Sequence, residues 1–293
     1  MLTRFIDPKN DFIFKKLFGS DQNKNILIAF LNDMIDFKQG FPIVDVEFIK
    51  NTQDPILNLG KGGIIDVLCK DTNGHIYIVE MQVAKEKGFE KRCQYYASKA
   101  YCGQILSGSA YEDLKEVVVL AICDFNLFPH KDSFKFNHAI VDLETKECDL
   151  KGFSFTFVEL PKFNKTEQEL TTPLDRWIYF FKHAQDTPGS EINDIMQDSP
   201  LITKAYHQAN QIIANIADLL LYEEIENFDR IQQARLDQSF EDGLEKGKEK
   251  GKKEGAREEK KQNIQSLLQS GFDLETVLRS FKLSQTEYED LMK

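Results

Sequence analysis

The chain has 293 residues, of which 41% are hydrophobic and 29% charged. That is enough apolar material for a core and length for about two domains, and it excludes wholesale disorder. A net charge of −11 excludes a protein that coats nucleic acid by bulk electrostatics. It leaves room for a site that needs acidic metal ligands and only a local basic surface.

No stretch approaches the roughly 18 uninterrupted apolar residues of a membrane span. The first ten residues carry Arg4, Asp7 and Lys9 and no apolar segment, so no secretory leader is expected. Five Cys with no CxxC pair argue against a disulfide framework or a zinc cluster, and a reducing cytoplasm is the expected setting.

In chain order, Phe14, Leu17 and Phe18 predict a helix over 11–18, ended by Gly19. The same spacing predicts a second helix over 25–37. Alternation through Val44, Val46 and Phe48 predicts a strand over 44–49. Two apolar runs, 64–69 and 76–83, flank Asp71-Thr72-Asn73-Gly74 and read as a hairpin. A helix is expected over 89–106, a strand buried on both faces over 117–123, and further strands over 134–141 and 153–160. The order predicts an α/β domain with a mixed sheet.

Beyond Pro161 the pattern becomes helical, over 175–183 and as one long helix over 201–228. Gly243, Gly247, Gly251 and Gly255 then recur every fourth position among Lys, Arg and Glu. Charged neighbours rule out a membrane GxxxG reading and leave a solvated helix or a tether. A small helical unit closes the chain, with Ser284 as a helix N-cap. The expected organisation is 1–163, an α/β domain; 164–238, a helical region packed on or beside it; 239–262, the glycine-spaced segment; and 263–293, the terminal unit.

Phosphate-loop, dinucleotide-binding, GxSxG and HExxH patterns are all missing, so no nucleotide cofactor is expected. What stands out is Asp66 and Glu80, carboxylates set inside otherwise apolar strand runs where an unpaired charge is expensive to bury. The hairpin can bring them side by side. Two convergent carboxylates with water suit Mg²⁺ or Mn²⁺, which can activate water and neutralise charge on a phosphodiester. Alternatively, both point out of a half-exposed sheet.

Asp66, a turn, and then Glu80-Met81-Gln82 resembles the D…(D/E)xK site of PD-(D/E)xK nucleases. The surroundings resemble the recombination-promoting nuclease branch, also described as PD-(D/E)xK family transposases. The resemblance runs through Asp11-Phe12-Ile13-Phe14-Lys15-Lys16-Leu17-Phe18-Gly19 and Lys61-Gly62-Gly63-Ile64-Ile65-Asp66-Val67. It continues through Arg92-Cys93-Gln94-Tyr95-Tyr96, Tyr101-Cys102-Gly103-Gln104, Glu159-Leu160-Pro161-Lys162-Phe163 and Leu174-Asp175-Arg176-Trp177. The glycine-spaced tail also fits.

The resemblance implies a restriction-endonuclease-like mixed sheet flanked by helices, with an all-α C-terminal region. It implies a Mg²⁺-dependent DNA endonuclease that promotes recombination or acts on mobile or foreign DNA. Asp66, Glu80 and the Met81 backbone carbonyl would hold the metal. Gln82 stands where the superfamily has lysine and would position water or the scissile phosphate; the positive group falls to Lys15, Lys16 or Arg92. Asp11 matches an early acidic motif residue or is an N-cap. The rival reading is a catalytically decayed scaffold that binds nucleic acid or protein.

Lys85, Lys87, Arg92, Tyr95, Tyr96 and Lys99, with Lys15 and Lys16, are the expected DNA contacts. Helical spacing puts Arg92, Tyr95, Tyr96 and Lys99 on one face, and the alternative is that both tyrosines pack on the sheet. Self-association would run through the C-terminal helices, whose terminal unit is too acidic to read DNA. Residues 1–163 hold 23 acidic against 20 basic side chains, whereas 164–238 hold 13 against 6. The first domain is therefore where DNA is expected.

Overall fold

The computed structural model describes residues 5–36, 42–49, 65–105, 110–196, 199–214 and 216–292. The chain divides into two compact units, Met1–Phe228 and Asp229–Lys293. The expected segments at 61–64, Phe37 and Leu106 lie outside the described residues.

The first unit opens with α1 (Asp11–Phe18) and α2 (Lys24–Met34). Asn10, not Asp11, caps α1: its side chain accepts from the Phe12 and Ile13 N–H groups, two donors that a helix start leaves without partners. Among the described residues six strands follow: β1 (Val46–Phe48), β2 (Val67–Asp71), β3 (Ile76–Gln82), β4 (Val117–Cys123), β5 (Lys135–Ala139) and β6 (Phe153–Glu159). Between β3 and β4 lies α3 (Phe89–Gly103). The sheet order is β1-β2-β3-β4-β6-β5, with β3, β4 and β6 parallel and the other neighbours antiparallel. This is the mixed sheet the patterning predicts.

The β2–β3 turn is built by Asp71. Its Oδ1 accepts from the Asn73 and His75 N–H groups at 2.8 and 2.9 Å, and its Oδ2 accepts from the Tyr77 hydroxyl at 3.1 Å. Gly74 takes φ +86°, a conformation that costs glycine little.

Alternation along the strands feeds two apolar layers. Val118, Leu120 and Ile122 of β4 join α1, α2, Trp177 and Tyr206 on one face. Val117, Val119, Ala121 and Cys123 join Phe89, Cys93, Tyr96, Ala97 and Ala100 of α3 on the other. A strand covered twice needs a continuous apolar run, which is what residues 117–123 are.

The helices after the sheet are α4 (Pro173–His183), α5 (Ile192–Met196), α6 (Pro200–Ile212) and α7 (Ile216–Gln269). Pro173 and the reciprocal Thr172–Asp175 capping box start α4. Trp177 is fully buried and donates through Nε1 to Asp33 at 2.8 Å.

The expected single helix over 201–228 is interrupted between Ile212 and Ile216. Ala209, Ile213 and Tyr222 all enter one small cluster with Ile13. At about 100° per residue, a straight helix would turn Tyr222 roughly 140° away from Ala209, so sharing that cluster requires the break.

In the second unit the glycine-spaced segment is helical within α7 rather than a loose tether. Gly243, Gly247, Gly251 and Gly255 all have open space where a Cβ would sit. α8 (Leu274–Phe281) is capped by Asp273. α9 (Gln285–Met292) starts with a reciprocal Ser284–Glu287 pair. Among the described residues no helix is long and apolar enough to cross a membrane.

Candidate active site

Glu80 lies on β3, on the face that α3 covers, and is 3% exposed. Val67 of β2 pairs with Val79 of β3, so Asp66, the residue just before β2, falls opposite Glu80. Facing positions in an antiparallel pair bring Cβ atoms to about 5 Å. Asp66 and Glu80 thus come together at the end of the hairpin, as the first of the two sequence alternatives requires. Asp66 itself sits in a bend outside the strand, and its Oδ2 accepts the Met81 N–H at 2.8 Å.

Each carboxyl meets one cation, and the two cations come from opposite layers. From α1, the Lys15 ammonium stands 3.3 Å from Asp66 Oδ1 and 2.6 Å from Asp11 Oδ1. From α3, Arg92 Nη2 stands 3.8 Å from Glu80 Oε2 and donates to Gln82 Oε1 at 2.5 Å. Arg92 Nη1 pairs with Glu86 at 2.5 Å. Gln82 Nε2 donates to the Ala84 carbonyl at 3.0 Å.

Burial dominates the electrostatics. It pushes the Asp66 carboxyl up to about 6, against the Met81 N–H and Lys15. Burial, then the Asp66 charge, pushes Glu80 up to about 8, against Arg92. Burial disfavours the charge of Lys15, but Asp11 and Asp66 more than offset it and raise its pKa. Burial of both groups and the repulsion between their charges therefore favour a pair that keeps a proton. Glu80 Oε1 is buried with no hydrogen-bond partner, an orphan that a cation would satisfy. Among the described residues no group of three or more His, Cys, Asp or Glu is arranged to hold a metal ion. The oxygen donors brought together are the two carboxylates, which suit a hard cation keeping several waters, and Met81 meets them through its N–H.

The remaining sequence candidates separate. Lys16 is exposed and lies over the Phe12 ring at 5.5 Å. Lys85 is exposed and donates to the Asn126 carbonyl at 3.0 Å, and Lys87 is exposed. Tyr95 is 46% exposed with the Lys99 ammonium 5.8 Å from its ring centre, whereas Tyr96 is buried beside Cys93 and Ala97. Neither sequence alternative for the tyrosines holds as a whole, because the sheet covers only one edge of the face they share.

Asp11 is a surface partner of Lys15, a pairing that its i,i+4 spacing signals. Glu86 and the Ala84 carbonyl were not read as site groups. They sit in a loop between β3 and α3, where no periodicity marks them.

A family model described as PD-(D/E)XK nuclease family transposase matches residues 8–239. No curated protein and no solved structure matches the chain. The matched span contains the hairpin, both carboxyls and both cations that meet them, so the chain belongs to the PD-(D/E)XK nuclease family transposases.

Proposed function

We propose that the protein is a divalent-cation-dependent DNA endonuclease that promotes recombination or acts on mobile or foreign DNA. The observation that carries this reading is the buried Asp66–Glu80 pair with the orphaned Glu80 Oε1, within a chain of a nuclease family. Asp66, Glu80 and the Met81 carbonyl are the ligands we assign to Mg²⁺, with Mn²⁺ as the substitute. Such an ion lowers the pKa of water and offsets charge that develops on the phosphodiester.

The chain's own residues do the rest. Glu80 would present its carboxylate, with the orphaned Oε1, to such an ion. Asp66 stays oriented by the Met81 N–H and by Lys15. Gln82 orients the attacking water or the scissile phosphate through an amide N–H. Lys85, Lys87, Lys99 and Tyr95 give the loop and the outer face of α3 a basic surface for the phosphate backbone, with an aromatic ring among them.

The test is plasmid nicking in Mg²⁺ or Mn²⁺ by wild type, Asp66→Ala and Glu80→Ala. Wild type should nick and both variants should be inert. Equal nicking by all three would remove the site. An inert wild type that still binds DNA would replace the enzyme with a decayed nucleic-acid-binding scaffold.

A further inference from the structure

The site has a hydrogen-bond donor at position 82 but no charge there, and the geometry points to where the charge comes from. We propose that Arg92 is the positioning residue that supplies it, acting through the Gln82 amide. The inference rests on reading Asp66 and Glu80 as the cation ligands.

The chemistry of the neighbours settles which way the amide points. An arginine can only donate and a backbone carbonyl can only accept. Arg92 Nη2, 2.5 Å away, therefore faces Oε1, and the Ala84 carbonyl, 3.0 Å away, faces Nε2. Nε2 carries two hydrogens and Ala84 takes one. The second is the donor available to a water or a phosphate oxygen. With both ends of the amide held, that donor has one direction.

Arg92 is itself held on three sides. Nη1 pairs with Glu86 at 2.5 Å, Nη2 lies 3.8 Å from Glu80 Oε2, and the guanidinium stands over the Phe89 ring at 5.0 Å from its centre. A guanidinium stays charged at any working pH. Its charge at hydrogen-bonding distance from the amide oxygen polarises the amide and strengthens the opposite N–H as a donor. A lysine at 82 would carry charge and donor on one nitrogen. Here the two are divided between neighbouring elements, β3 and α3, and Glu86 keeps them in register.

The division makes a specific prediction about rescue. Arg92→Gln should lower the kcat for plasmid nicking about 100-fold, the scale seen on removing a preorganised donor. KM for DNA should change by less than about 3-fold, because the fork faces Gln82 and Glu86 rather than the duplex. Arg92→Lys, which keeps the charge and loses the fork, should fall between the two. Gln82→Lys combined with Arg92→Gln should recover to within about 10-fold of wild type, since charge and donor are reunited on one residue.

A purely structural role for Arg92 gives no reason for a lysine at 82 to restore turnover. If the folded Arg92→Gln protein nicks like wild type, or the double variant stays as slow as Arg92→Gln, the proposal is wrong. If Arg92→Gln does not fold, the comparison of Arg92→Lys with Gln82→Lys/Arg92→Lys carries the test. Turnover must then improve with the added lysine. Asp66→Ala and Glu80→Ala run in the same assay separate the two failures. Full activity in those variants removes the site itself, whereas their inactivity beside an unimpaired Arg92→Gln removes only the role given to Arg92.

Discussion

Glu80→Gln should make the cation-free protein more stable, and by an amount that depends on pH. The substitution keeps the shape of the side chain and removes the charge that burial and Asp66 oppose. The ordinary value for Glu80 is 4.5, and in the fold it is pushed up to about 8. Below pH 4.5 the group is protonated in both folded and unfolded chains and makes no difference. Between pH 4.5 and about 8 the unfolded chain releases the proton while the fold retains it, so wild-type stability falls as pH rises. Above about 8 the loss is complete.

Each pH unit in that window costs about 1.4 kcal/mol. By pH 7.5 the variant should therefore lead wild type by on the order of 4 kcal/mol, which for a unit of this size is roughly 10 °C in Tm. Thermal melts in EDTA at pH 5, 6, 7 and 8 measure the gap, which should widen steadily. Millimolar Mg²⁺ should then narrow it by stabilising wild type alone, since an ion bound only by the folded state shifts the equilibrium. A gap that stays flat from pH 5 to 8, or a wild type more stable than Glu80→Gln at pH 7.5 in EDTA, would refute the reasoning.

Two further predictions concern the scaffold. Asp71→Ala removes the acceptor of two turn N–H groups and leaves the Tyr77 hydroxyl without its partner, so it should cost about 2–4 kcal/mol in urea unfolding. Changing Gly243, Gly247, Gly251 and Gly255 together to Ala should raise helicity by circular dichroism and stabilise α7 by about 1 kcal/mol per site. A Cβ meets nothing at any of the four, so a loss of helicity would show that the glycines answer to a contact.

What was legible in the sequence is what local chemistry encodes. The span 117–123 was predicted to the residue because a strand covered on both faces leaves an unbroken apolar run. The hairpin was legible because Asp71 and Gly74 build its turn from their own side chain and backbone. Turn length then fixes register, and register places Asp66 opposite Glu80. The partners of those carboxyls were not legible to the same degree. Lys15 reaches Asp66 across 51 positions and from another layer, and Trp177 finds Asp33 across 144. No spacing rule spans such distances. The single helix expected over 201–228 did not hold for the same reason, because the break after Ile212 answers to Ile13, far upstream.

The two carboxylates were conspicuous in the sequence because an apolar strand has no use for them, and the fold sharpens that anomaly instead of removing it. An ordinary buried acid is neutralised by its partners, as with Asp175, which Lys165 and the Thr172 cap draw well below the usual range despite burial. Asp66 and Glu80 each have a cation nearby and still sit above their ordinary values. Lys15 is shared with Asp11, and Arg92 is shared between Gln82 and Glu86, so neither cation is committed to the carboxyl it meets. Had stability alone shaped this corner, an apolar pair on the hairpin would serve better. A pair left under-neutralised in the folded chain is what a divalent cation needs, because the cation takes the place of the proton that the pair otherwise retains. The pH-dependent instability of the empty site and its capacity to hold a cation are then one property, and Glu80→Gln should remove both together.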